Sequence, residues 1–484
     1  MRSTLLGLGF AAWVLGACNG LRSQADCVEA EACEPADGGR VDGNGGPDVV
    51  PAGCDPTKPP KESPACVTDD FGVFVSPAGK DGAPGTKADP VRSIAEAVNK
   101  GKRRVYVCDG AYEVAVELTA PVAIFGGLTC GWVASDTSRP KLAPPRGPAL
   151  RVTKVNGAVS VEDLDIVGSA DPNTPGDSAI AAFVSESTTV TFRRVNFTAG
   201  AGTGGSKGAS KFNYTGATAT AGGATNTTAA GAGPSCTCGD GSTSKGGSGA
   251  AGSGAGIGDG AATPAVGVPN AGTSGTNTCT DGQPGSNGLA TLGGTAAGAA
   301  GALGAQRWDS SATGLKGGNG NPGQGGGGGG AKSTLNIGGG GGSCGGCGGA
   351  GGDPGTNGGS SIALLSFNST VTVDGGTLVS GGAGAGGAGG DGQDGQSGGA
   401  LGAGACNGGS GASGAGGSGG GGGAGGHSVP VAFVGTDPRV LGAPLTPGTK
   451  GAVGSGGKAG AGAGNAGNSG TPGPEGKAQE KLAL

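Results

Sequence analysis

Material for an ordinary core or an ordinary active site is scarce in this sequence. Of 484 residues, 3 are Trp, 3 Tyr and 10 Phe, with one Met and one His. Large apolar surface at that level cannot furnish one compact core for the whole chain. The sole histidine, His427, has no Ser/His/Asp arrangement around it and receives no role. Aromatics interleaved with a basic patch are missing, which argues against nucleic-acid binding. Beyond the first residues no run of 18 apolar residues occurs, so no later segment reads as a membrane-spanning helix. Charge is also thin: after residue 200 there are 11 basic and 11 acidic residues, so the net charge of −5 belongs to the first 200.

What is abundant is glycine, 121 of 484 residues, against an average usage of about 7%. There are also 13 cysteines. The N-terminus has a positive charge at Arg2 and an apolar stretch from Leu5 to Leu15. That stretch is shorter than the roughly 20 residues a bilayer requires and has the length of a signal-peptide h-region. It ends in Leu15-Gly16-Ala17-Cys18, which resembles the lipobox of bacterial lipoproteins. The resemblance implies cleavage before Cys18, lipidation of Cys18 and a membrane anchor of more than one acyl chain. Asn19 follows where an Asp would favour retention in the inner membrane. The resemblance therefore implies the outer membrane or cell surface. Removing Cys18 leaves an even set of twelve cysteines: Cys27, Cys33, Cys54, Cys66, Cys108, Cys130, Cys236, Cys238, Cys279, Cys344, Cys347 and Cys406. In an oxidising envelope an even set reads as disulfides. Cys27/Cys33 and Cys54/Cys66 have spacings for small local loops. The last six lie in glycine-rich stretches and are expected to staple them together.

The order of segments follows from composition. Residues 1–17 read as a lipoprotein signal peptide and 18–68 as a lipidated, flexible, disordered tether. Residues 69–200 hold short strands at Phe71–Val75, Arg104–Cys108 and Val122–Phe125, with helical spacing at Ile94, Ala97 and Val98. A repeat then appears. The runs Val159-Ser160-Val161-Glu162, Val190-Thr191-Phe192-Arg193 and Val371-Thr372-Val373-Asp374 align with one another. Each is preceded by an apolar run (Leu150, Ile180, Ile362) and followed by a third run that ends in Gly168, Gly200 or Gly381. A truncated copy starts at His427. Three short strands per repeat fit the stacked coils of a solenoid. Stacking puts Glu162, Arg193 and Asp374 in one column and Asp165, Asn196 and Thr377 in another.

The stretch Val75-Ser76-Pro77-Ala78-Gly79-Lys80-Asp81-Gly82, with Ser93–Val98 and Val105–Tyr112, resembles the opening of right-handed parallel β-helices of the pectin-lyase-like superfamily. Ile124–Trp132 is similar to a variant in secreted, glycine-rich myxobacterial proteins. The resemblance implies an all-β, short right-handed parallel β-helix with a capping helix, and a pairing of Cys108 with Cys130. The expected divisions are β-helix at 69–200, glycine-rich insertion at 201–359, a coil at 360–380, a second insertion at 381–426, a final coil at 427–449 and a glycine-rich tail at 450–484. The first two insertions leave after the third strand of a coil and should emerge from one edge.

Three readings fit the glycine stretches: disorder, a packed array of polyproline-II-like strands, and an adhesive surface similar in composition to glycine-rich mycobacterial cell-wall proteins. A strict glycine at every third residue along the chain is absent, which excludes a collagen triple helix.

Candidate chemistry is sparse. Cys344-Gly345-Gly346-Cys347 with Cys236-Thr237-Cys238 has zinc or redox spacing but lacks histidine partners. Gly386–Asp394 half-matches a calcium-binding nonapeptide, with Gln393 in the place of its apolar residue. Asp163, Asp165, Arg193 and Arg194 are the local candidates for glycoside acid/base work, and they match no catalytic motif of the superfamily. The expected protein is a non-enzymatic envelope lipoprotein with a structural, adhesive or matrix role, without cofactor or metal. Its partners are the membrane, through the anchor, and a polysaccharide or matrix protein. The alternative is a carbohydrate-binding or polysaccharide-degrading β-helix protein.

Overall fold

The computed structural model describes residues 50–210, 218–253, 258 and 271–484. The signal sequence, Cys18, Cys27 and Cys33 lie outside the described residues. Those described belong to one compact unit, Val49–Leu484. It is nearly all β, with a large parallel sheet curled into a half-barrel.

Local sequence accounts for the elements. In Thr189–Ala199, Val190, Phe192, Val195 and Phe197 turn inward while Thr189, Arg194 and Thr198 face solvent. This is the two-residue period of a pleat with one buried face. The strand lies parallel between Ala158–Glu162 on one side and Val371–Ser380 on the other, so Val159, Val190 and Val371 stack in register. The expected columns form as read: Arg193 pairs with both Glu162 and Asp374, and Asn196 with both Asp165 and Thr377. A smaller parallel sheet stacks Leu150–Thr153, Ala179–Ser185, Ser361–Phe367 and Ser428–Val434. The copy expected from His427 onward is present, with Ser428 opposite Ser361. Val159, Phe192, Phe197, Val373 and Leu378 fill a common core with Leu364 and Val431 of the smaller sheet.

Each layer turns at corners in the left-handed region. One column holds Asp163 (φ 56°), Arg194 (φ 51°) and Gly375 (φ 71°). Another holds Lys154 (φ 54°), Glu186 (φ 48°), Asn368 (φ 45°) and Gly435 (φ 85°). Side chains other than Gly or Asn enter this region at a cost, so the recurrence at equivalent positions marks a geometry imposed by the stacking.

The helix Ile94–Asn99 is short and well capped. Ser93 Oγ accepts the Glu96 amide at 3.1 Å, a Ser-x-x-Glu start. Ile94 and Ala97 are buried against the first strands. Residues 50–68, expected as part of a flexible tether, instead pack on the sheet. Cys54–Cys66 closes a local loop. The Tyr106 hydroxyl donates to the Cys66 carbonyl, and the buried Arg104 guanidinium donates to the carbonyls of Pro56 and Lys58 at 3.2 and 2.7 Å. A chain with no hydrophobic period is held here by a disulfide and by donors from the sheet.

The glycine stretches form the second of their three expected arrangements. Gly317, Gly320, Gly323, Gly326 and Gly329 donate to residues 352, 349, 346, 343 and 340. Gly318, Asn321, Gln324, Gly327 and Gly330 donate to residues 292, 289, 286, 283 and 280 of another neighbour. One segment thus addresses different neighbours with a period of three, which is the symmetry of polyproline II, with three residues per turn and no bonds of its own. Segment 406–427 is enclosed over residues 414–427. It donates to segments 381–405, 313–331 and 463–477, and accepts from 337–360, 279–298 and 447–462. The array is therefore hexagonal in section.

Glycine is required because the backbones touch. A Cβ on Gly411 would sit 1.8 Å from the Cys344 carbonyl oxygen, and one on Gly417 would sit 2.1 Å from that of Ala350. Rows without a neighbour bear side chains. In segment 313–331, the row that continues as Gly325 and Gly328 under residues 245–249 carries the exposed Lys316 beyond that cover. Both insertions leave where expected, after Ala199 and after Ser380, and return into Ser361 and Ser428. The expected tail at 450–484 contributes two further array segments and the strand Lys481–Ala483, which pairs with Ser428–Val434.

Candidate functional site

The four residues singled out from the sequence, Asp163, Asp165, Arg193 and Arg194, gather at one corner column. Asp163 and Arg194 occupy left-handed corners in adjacent layers, so their side chains leave the sheet together. Arg194 donates to both Asp163 carboxylate oxygens at 2.8 and 2.7 Å, a bidentate pair. That hydrogen bond is the main cause of the upward shift of the Arg194 guanidinium pKa. Arg193 and Arg194 also approach Glu162 at 3.4 and 3.3 Å. Glu162 is only 3% exposed and takes a further bond from Ser160 at 3.0 Å. Asp165 accepts from Arg139 at 2.9 Å and from Asn196 at 2.8 Å, and Thr377 continues the ladder to Asn196 at 3.1 Å.

A cleft of about 320 Å³ adjoins this column, between residues 59–62 and the corner, with Lys61, Asp136, Ser138, Arg139, Asp163 and Arg194 on its walls. Lys61 and Asp136 form an exposed ion pair across the mouth, which holds the Asp136 carboxyl below its ordinary value. Charges in the cleft are thus matched side by side. Asp163 and Asp165 do not face one another across an opening. Both Asp163 oxygens are taken by Arg194, and Asp165 Oδ1 by Arg139 and Asn196, so Asp163 must give up an ion pair before it reaches a ligand. Glycoside acid/base chemistry calls for two carboxyl groups flanking a bond at a set separation.

Sequence reasoning did not find Arg139, Lys61 or Asp136, and it placed Glu162 only as a member of a column. Arg139 lies outside the repeat and is brought in by Lys141–Leu142, which pairs with Asp165–Ile166. The burial of Glu162 had a visible signal in its column, since Arg193 lies directly above it.

The remaining candidates have structural partners. Cys344 and Cys347 are bonded to Cys236 and Cys238, and Cys279 to Cys406. Cys108 is bonded to Cys130, as the resemblance implied. Each of these three disulfides in the array joins two separate segments of it. Asp391 and Asp394, from the half-matched nonapeptide, accept the amides of Lys458 and Ala461 at 2.8 and 2.6 Å. Among the described residues, no group of three or more His, Cys, Asp and Glu gathers to hold a metal ion, and no helix is long and apolar enough to cross a membrane. His427 is 9% exposed. Its Nδ1 accepts the Lys477 amide at 3.0 Å, and burial is the main cause of its lowered pKa, with Lys477 adding to it. No family model, curated protein or solved structure matches this chain.

Proposed function

We propose that this chain is a non-enzymatic envelope lipoprotein, tethered by a lipid on Cys18, whose folded part is a rigid structural or matrix-associated body. The observation that carries the reading is the disulfide-pinned polyglycine array. It devotes a large share of the chain to a close-packed slab whose interior is mainly glycine. A slab of backbone offers few of the apolar pockets and convergent polar groups from which binding sites are made. Five disulfides support export to an oxidising compartment. The stacked parallel strands, with left-handed corners at repeated positions, support the finer reading of a short right-handed parallel β-helix from which the array extends. The fold does not decide the activity.

The second reading, a carbohydrate-binding or degrading protein, draws on the charged cleft at Arg139, Asp163 and Arg194. One experiment separates the two. The chain from Asn19 on, disulfides intact, is incubated with polysaccharides including polyuronates, and retention and new chain ends are followed together. Neither is expected for a structural body, and retention alone makes it a matrix binder. Cleavage abolished by Asp163→Asn would replace the proposal with the second reading. The anchor is tested separately: wild-type protein in a bacterial host should incorporate labelled fatty acid and Cys18→Ser should not. Equal labelling of both would remove the lipid from the proposal.

A further inference from the structure

The two ends of the strand stack are finished differently. At the first end the outer backbone edge of Val73–Val75 is occupied. Phe74 donates to Gly85 and accepts from Val91, and Ser76 donates to Val91, so the chain folds back along its own strand. Ile94 and Ala97 cover the core there and are 1% and 0% exposed. At the last end, among the described residues, Arg439–Leu441 and Leu445–Thr446 pair only with Val371–Ser380, and Lys481–Ala483 pairs only with Ser428–Val434. Phe433, Val440, Ala443 and Leu445 pack on the core but stay partly open, with Leu441 and Leu484 exposed at 37% and 42%. An uncovered strand edge is a template for another strand, and terminal repeats of stacked folds need a cover.

We infer that this open edge is covered by the same edge of a second copy of the chain. The surface consists of strand edges spaced as one layer of the stack, so the shape that fits it is another such layer. Layers already meet in this way within the chain, through Val373 opposite Val440 and Leu378 opposite Leu445. A head-to-tail contact would need the first end, where the fold-back on Val73–Val75 and the helix Ile94–Asn99 stand in the way. The last end remains, and pairing it with itself is isologous about a two-fold axis and closes at two copies. Keeping the core on the same side in both copies makes the paired edges antiparallel. The polyglycine array takes no part in the contact, because its outward rows carry side chains such as Lys450, Val453, Pro472 and Glu475.

The test does not depend on the envelope reading. The chain from Asn19 on, with its disulfides intact, is followed by sedimentation velocity from 1 to 100 μM, where the range is set by a micromolar self-affinity. A monomer–dimer equilibrium is expected. Leu441→Lys should weaken it at least ~10-fold, about 1.4 kcal/mol, while Leu292→Lys, at an 85% exposed leucine of the array, should leave it unchanged. In the unmutated protein, amide exchange across residues 439–446 should slow as concentration rises. A monomer at every concentration, a dimer indifferent to Leu441→Lys, or growth beyond two copies would each overturn the inference.

Discussion

Gly411 and Gly298 differ only in what lies opposite the missing Cβ. At Gly411 an added methyl meets a carbonyl oxygen at 1.8 Å, and at Gly298 it meets nothing within 4 Å. Gly411→Ala is therefore expected to lower stability by roughly 1–3 kcal/mol, the usual cost of overpacking. Gly298→Ala should be neutral or raise stability by up to about 1 kcal/mol through the unfolded chain. Thermal melts of the two variants check this, and equal behaviour would contradict the backbone-contact account. His427 gives a pH signature. Its folded pKa lies below the ordinary 6.5, so the unfolded chain binds the extra proton more readily. Stability from this group is complete above pH 6.5 and is lost as pH falls from there toward the folded value. Urea midpoints measured between pH 8 and 5 should fall in the wild type, and His427→Asn should flatten that part of the decline.

At the scale of elements, strand columns were legible and corners were not. A pleat repeats every two residues, so Val159, Val190 and Val371 fix the register as soon as the runs are aligned. Asp163 and Arg194 drew notice as charges when their position was conformational: both stand where the chain turns left-handed. Gly375 in the same column was the available clue. The glycine arrays were legible only segment by segment. Gly464, Gly467, Gly470, Gly473 and Gly476 keep a strict three-residue period, as do Gly317 to Gly329. Turns between segments reset the phase, which hides the period along the whole chain. Enclosed segments are denser in glycine because more of their rows have neighbours. Disulfides hold these segments where apolar packing is sparse, as in the small cluster of Ala297, Ala300 and Ala424. Cys279–Cys406 closes 127 residues and Cys54–Cys66 closes 12. In the chain-entropy model these contribute about 5 and about 3 kcal/mol. A Cys279→Ser/Cys406→Ser double variant should lose amide protection across 279–298 while strands 189–199 and 371–380 keep theirs. Loss across all of them together would mean that array and strands fold as one unit.

For the molecule as a whole, strands and array are two phases of one chain. The strands bury valine, phenylalanine and leucine, whereas the array buries amides and α-carbons. Heat capacity separates these kinds of burial, because apolar surface raises it on exposure and polar surface lowers it. Unfolding of ordinary domains carries about 12–15 cal/mol/K per residue. The array should unfold with far less, so its stability would vary little with temperature on cooling, where apolar cores weaken. Differential scanning calorimetry should therefore give a whole-chain value well below that range per residue, and a value inside it would contradict the account of the array. A body held together mainly by amide-to-carbonyl bonds is one whose rigidity is nearly indifferent to cold.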